Sequence, residues 1–157
     1  MSENCKIQKT SLMKKIIYSL ISISMITSAA ALEKTKEEKV AKYIIKNIQK
    51  DYVACYSFYK VGAESFKKAG MERQIIEGLE KSADVTLKFN YDLGEVLGLK
   101  PETMAKITRE EVLKFSKIGK KDFSSLAKKY GLLCKNLVEN QKQRINYWEK
   151  KGNKKIK

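Results

Sequence analysis

"AKYIIKNIQKDYVACYSFYKVGAESF", residues 41–66, decides how the rest of this chain is read. Ala41, Ile44, Ile45, Ile48, Tyr52, Cys55, Tyr56, Tyr59, Ala63 and Phe66 recur in steps of three and four. At about 100° per residue they fall within an arc of roughly 120°. Lys42, Lys46, Lys50 and Lys60 lie largely away from it. The spacing predicts one long amphipathic helix from about Glu37 to Gly70, bending at Gly62.

Downstream, Ile75, Ile76, Leu79, Ala83 and Leu87 mark a second helix from about Glu72, less cleanly patterned toward Leu97. Gly94 and Gly98, four apart, read as a fraying helix end, with close approach of another helix as the alternative. "LGLKPE", residues 97–102, is expected to be a connector, because proline disfavours helical geometry in the residue before it. "TREE", residues 108–111, has the form of a capping box, Thr108 with Glu111, at the start of a third helix ending at Gly119. Asp122 is the expected cap of a last helix. There Phe123, Leu126, Tyr130, Leu133, Cys134, Leu137, Ile145 and Trp148 share a face close to a heptad pattern over roughly 40 Å. No strand-like alternation, internal repeat or Pro/Gly-rich linker appears. The expected fold is all-α: an antiparallel bundle of about four helices spanning residues 32–151, followed by a basic disordered tail at 152–157.

Upstream, Met13–Lys34 has the three parts of a secretory signal peptide in order. Lys14 and Lys15 form the positive end, Ile16–Ile26 the apolar stretch, and Ala29-Ala30-Ala31 the small residues that a signal peptidase reads. Residues 1–31 are therefore expected to be removed after Ala31. The polar residues before Met13 add nothing to the signal, which makes Met13 a second candidate for the start of translation. The run from Ile16 to Leu32 is interrupted by serines and a threonine and is at the short edge of what spans a bilayer, so no stable membrane span is expected after cleavage. Cys5 precedes the apolar stretch, which gives no support to lipoprotein processing. Cleavage would leave two cysteines, Cys55 and Cys134, near the middle of the apolar faces of the first and last helices. In an oxidising compartment such a pair is expected to form a disulfide.

The chain of 157 residues carries a formal net charge of +15. Its arginines are Arg73, Arg109 and Arg144 alone, and the other basic residues are lysine. Lysine is a hydrated point charge without the planar fork that reads bases or phosphates, so the charge suggests diffuse attraction to anionic envelope components rather than specific nucleic-acid binding. With no histidine in the sequence, histidine-based acid–base catalysis, the usual zinc sites and a histidine haem ligand are excluded. No CxxC pair and no phosphate-binding glycine loop is present, and no cofactor is expected. Ser124 or Ser125 with Lys128 or Lys129 has the i, i+4 spacing of a serine–lysine dyad, but that spacing arises constantly on lysine-rich helices. The expectation is an exported, non-enzymatic binding or accessory protein of the cell envelope, periplasmic or secreted, pinned by one disulfide, with a protein or anionic envelope component as partner. Two alternatives stand beside it. One is a small-molecule carrier or hydrolase with Tyr52, Tyr56 and Tyr59 lining a pocket between helices. The other is a periplasmic stress chaperone, whose acid trigger would have to come from carboxylates.

Overall fold

The structure, a computed structural model, describes residues 35–157; the export signal and its cleavage point at Ala31 lie outside the described residues. Helix α1, Lys36–Lys68, starts where the Thr35 hydroxyl accepts the Glu38 backbone N–H at 3.3 Å, with Glu37 and Glu38 in the first turn. Acidic residues at this end, and Lys67 and Lys68 at the other, suit the helix dipole. The helix stops at Gly70, whose φ of 68° is a left-handed conformation that costs glycine little. The next two N–H groups turn back, Gly70 to the Lys67 carbonyl at 3.2 Å and Met71 to that of Phe66 at 3.1 Å, a Schellman closure.

Helix α2, Arg73–Val96, ends in the same way. Gly98 has φ 72°, its N–H donates to the Glu95 carbonyl at 2.8 Å, and that of Leu99 donates to Gly94 at 2.9 Å. Gly98 therefore terminates the helix sharply rather than letting it fray. Gly94 serves close approach: a Cβ there would lie 1.9 Å from Met104 Sδ on the next helix.

Helix α3, Pro101–Glu139, corrects two expectations. It opens at Pro101, not at Thr108, because proline in the first turn lacks only an N–H that would have no partner anyway. Thr108 consequently lies inside the helix, buried, and its hydroxyl accepts from Asn90 instead of capping. Nor does the helix stop at Gly119, where a Cβ would lie 2.8 Å from Val61 Cγ1; it breaks at Asp122, at φ −158° and ψ 97°. The Asp122 carboxylate accepts the Ser124 N–H at 2.9 Å and the Ser124 hydroxyl at 2.6 Å, so it caps the following segment as its sequence position suggests. The two arms, 101–121 and 123–139, fold back on each other. Phe115 and Tyr130 have ring centroids 4.7 Å apart, whereas fifteen residues of straight helix would separate them by about 22 Å.

A second break, at Asn140 with φ −142° and ψ 71°, precedes α4, Gln141–Lys155. The single long last helix expected from the sequence is therefore two. Helix α4 also runs past Lys151, the expected end of the helical domain, into the segment expected to be a disordered tail. Gly152 is buried there, with the Tyr43 ring and Val40 3.2 Å from where a Cβ would stand. Glycine gives no outward apolar signal, so the sequence pattern misses this contact.

Among the described residues the fold is a bundle of four helices without strands. Helix α1 lies at its centre. Gln49 meets Asn90 and Lys67 meets Glu80, which sets α2 antiparallel to it. On another side Phe58 stacks on Phe123 at 5.7 Å and Phe66 meets the same ring edge-on, bringing in the C-terminal arm of α3. Val53, Ser57, Phe58 and Val61 are buried beside Tyr52, Cys55 and Tyr59, so the covered surface of α1 is wider than the arc read from the sequence. Cys55 and Cys134 are fully buried in this core, with sulfurs 2.06 Å apart and Cα atoms 5.3 Å apart, at disulfide distance.

One line of polar side chains crosses the core. Gln49 Nε2 donates to Asn90 Oδ1 at 2.6 Å and Asn90 Nδ2 donates to Thr108 Oγ1 at 3.0 Å, all three residues being buried. The line ties α1, α2 and the first arm of α3 in one register, because a slip of one residue would strand buried amides without partners.

Two outcomes follow for stability. Joining Cys55 to Cys134 closes a loop with a sequence separation of 79, so Cys55→Ala with Cys134→Ala should lower the unfolding free energy in urea by about 4 kcal/mol. Reductant should do the same to the parent protein and nothing to the double variant. Asn90→Ala, which leaves Gln49 and Thr108 unsatisfied together, should cost about 2–4 kcal/mol, against under about 1 kcal/mol for the exposed Lys81→Ala. Equal midpoints for those two variants would contradict the role given to the polar line.

Candidate functional site

Helix α4 buries only Gly152 and is rich in lysine, so apolar burial alone does not hold it in place. Its attachment is largely polar and aromatic. Arg144 donates from Nε to Asp51 Oδ2 at 2.6 Å and from Nη2 to Oδ1 at 3.0 Å, a two-pronged pair. The Trp148 indole N–H donates to the same Asp51 Oδ2 at 2.5 Å. The guanidinium carbon of Arg144 lies 4.4 Å from the Tyr147 ring centroid and 4.9 Å from that of Trp148, within cation–π range. Trp148 in turn meets the Tyr43 ring edge-on at 6.1 Å. At the start of the helix, Gln141 Nε2 donates to the Tyr52 hydroxyl.

On an unbroken helix Lys128 and Tyr147 would be about 28 Å apart. The break at Asn140 instead lets them line one open groove of about 400 Å³ between the C-terminal arm of α3 and α4. Lys128, Lys129 and Arg144 make its basic side; Leu132, Leu133 and Tyr147 make its apolar side. Asn136 and Gln143 complete the lining, which includes no carboxylate. Leu132 is 71% exposed and Tyr147 42%, a large apolar surface for residues flanked by lysines. Neither Lys128 nor Lys129 forms an ion pair, and the side-chain amides of Asn136 and Gln143 have no hydrogen-bond partner, among the described residues. Arg144 Nη1 is likewise without a partner among them, since Asp51 takes only Nε and Nη2.

The three tyrosines singled out from the sequence lie elsewhere. Tyr52 is buried, packs on Phe89 at 5.2 Å and has its hydroxyl occupied by Gln141. Burial, the largest cause, raises its pKa above the ordinary phenol range, partly offset by the Gln141 hydrogen bond and reinforced by the Asp51 charge. Tyr59 is buried against Phe58 at 5.4 Å, and burial with the charge of Glu139 pushes its pKa up to about 12. Tyr56 is half-buried and is raised by burial first, then by Asp84, Tyr91 and Glu64. None of them lines the groove.

The serine–lysine spacing also finds no dyad. Ser124 Oγ donates to Asp122 Oδ1 and Ser125 Oγ donates to the Asp122 carbonyl at 2.9 Å, so both hydroxyls serve the cap. The Ser124 hydroxyl first, then the backbone N–H groups of Ser124 and Ser125 and the charge of Lys128, hold the Asp122 carboxyl below its usual range. Among the described residues no cluster of three metal-binding side chains occurs, and no helix is long and apolar enough to cross a membrane. Sequence reasoning passed over the groove because its residues stand on either side of a break it did not place. The available signal was Leu132, apolar on the outward side of Leu133 and Cys134.

Tyr59 makes the stability depend on alkaline pH. Its phenol ionises near pH 10 when unfolded and near 12 when folded, so the unfolded chain gives up the proton first. The stability linked to Tyr59 is complete below about pH 10 and is lost as pH rises toward 12. Urea midpoints should therefore fall less between about pH 9 and 11.5 for Tyr59→Phe than for the parent protein; equal falls would contradict the burial of that hydroxyl.

Compared with known protein families, curated proteins and solved structures, the chain matches none.

Proposed function

We propose that this protein is exported and works as a non-enzymatic binding or accessory protein of the cell envelope, in the periplasm or outside the cell, with one disulfide closing its core. The observation that carries the reading is the Cys55–Cys134 pair, whose sulfurs lie 2.06 Å apart across a sequence separation of 79. A crosslink at that place is favoured where thiols oxidise and is disfavoured in a reducing cytosol. The signal-peptide pattern of Met13–Ala31 points the same way from an independent part of the sequence.

The binding role is supported by the surface. The net charge of +15 is carried almost wholly by lysine, and the groove beside α4 sets part of that charge next to exposed apolar side chains. This suits an anionic partner held by attraction and contact rather than a substrate held for reaction. The carrier or hydrolase alternative has less support, because the tyrosines do not line the groove and the serines near the lysines are committed to Asp122.

Producing the full-length chain in a cell with a secretory pathway, fractionating it and measuring intact mass after alkylation without reductant tests this reading. The expected product lies outside the cytoplasm, lacks residues 1–31 and takes up no alkylating agent. A cytoplasmic product with its leader attached, or one alkylated at Cys55 and Cys134, would overturn it.

A further inference from the structure

We infer that the groove between the C-terminal arm of α3 and α4 is a docking site for an acidic peptide segment carrying apolar side chains, part of a protein partner. The inference rests on the binding role proposed above and specifies the partner's chemistry. The groove carries more positive than negative charge: no carboxylate contributes to its lining, and Lys128 and Lys129 form no ion pair among the described residues, so Asp51 beside Arg144 and the charge of Asp122 acting on Lys128 offset it only in part. Two rim lysines attract an anionic segment and favour its encounter without fixing its pose. Pose comes from Arg144. Asp51 grips its Nε and Nη2 edge, and the rings of Tyr147 and Trp148 flank it, so the guanidinium is immobilised before any ligand arrives. Its Nη1 keeps two N–H donors for a carboxylate, and little ordering entropy remains to be lost on binding.

A peptide fits the remaining features better than a lipid does. Leu132 and Tyr147 are open to water at 71% and 42% exposure, which suits a seat for one or two side chains but leaves an acyl chain largely unshielded. The groove volume of about 400 Å³ is of the same order. Asn136 and Gln143 each add an amide with a free donor and a free acceptor, the pair of groups that a peptide backbone presents and a hydrocarbon chain does not. An acidic side chain beside an apolar one thus meets a lysine or Arg144 beside Leu132 and Tyr147, while the backbone between them meets the amides.

The probe is a fluorescein-labelled heptapeptide alternating glutamate with leucine, followed by fluorescence anisotropy against the mature, oxidised protein. Saturable binding is expected, weakened at least about tenfold when glutamine replaces glutamate in the probe. Lys128→Glu with Lys129→Glu, and separately Leu132→Asp, should each weaken it at least about tenfold. Lys81→Glu with Lys100→Glu makes the same change of charge on α2 and its connector, away from the groove, and should weaken binding by less than about threefold. All the substituted positions are exposed, and unchanged helicity by circular dichroism verifies folding. Equal losses for the two lysine pairs, an unaffected Leu132→Asp, or no saturable binding would overturn the assignment. So would preferential binding to phosphatidylglycerol vesicles that Leu132→Asp abolishes while peptide binding stays unchanged. Failure here in a protein that is exported and oxidised removes the groove's role and leaves the proposed function standing; a chain retained in the cytoplasm fails that reading whatever the groove binds.

Discussion

Everything in this bundle is arranged around the need to cover the middle of α1 on more than one side. From Ile48 to Ala63 that helix carries an almost continuous set of buried residues, including Tyr52, Val53, Cys55, Phe58, Tyr59 and Val61. A two-helix hairpin would leave a large part of this surface in water, at a cost of about 25 cal/mol per Å² of apolar area. Helix α2 covers one side, and the C-terminal arm of α3 covers another through Phe123, Leu126, Cys134 and Leu137. The first arm of α3 reaches the core chiefly through Phe115, which is fully buried, and meets the second arm at Tyr130. The Cys55–Cys134 contact sits at the level where these elements converge, so a bond there constrains the rod that all the others use.

Polar groups divide the labour with the apolar core. Burial attracts helices without saying how far each may slide, and an aromatic-rich core tolerates several arrangements. The Gln49–Asn90–Thr108 line removes that freedom between α1, α2 and α3, while Gly94 lets α2 approach so closely that a Cβ there would force the Met104 side chain to move. On the far side of α1, Asp51 orients Arg144 and Trp148 together. A charge pair of this kind, with side chains 23% and 13% exposed, contributes less to net stability than to fixing where α4 lies. That position matters, because the groove exists only through the angle between α4 and the preceding arm.

The surface follows from composition as well as from packing. The excess of lysine gives the chain a net positive charge, a property that attracts anions without selecting among them. Selection requires a place where charge, apolar surface and free amides converge in fixed geometry. Lys128, Leu132 and Asn136 come from one helical segment and Gln143, Arg144 and Tyr147 from the next, so the break at Asn140 brings them together.

The sequence alone determined the helical class, the approximate extents of α1 and α2, the cap at Asp122 and the approach of Cys55 to Cys134. The helices and the cap depend on local periodicity or local capping chemistry, which neighbouring residues fix whatever the rest of the chain does, whereas the cysteine pair was expected because cleavage of the signal would leave only two cysteines to join. Only the tertiary structure decided the rest. Pro101 opened α3 because a proline that ends one helix is equally suited to begin another, and Thr108 became a buried acceptor because Asn90 stood opposite it. Gly152 was recruited to the core by the space between Val40 and Tyr43, which no pattern in the C-terminal lysines announces. Tyr52 and Tyr59 pack against Phe89 and Phe58 and do not line the groove, which was made by a bend between two helical faces. Such features join residues far apart in the chain or on either side of a break, and a periodicity read along one helix carries no information about what another helix places opposite it.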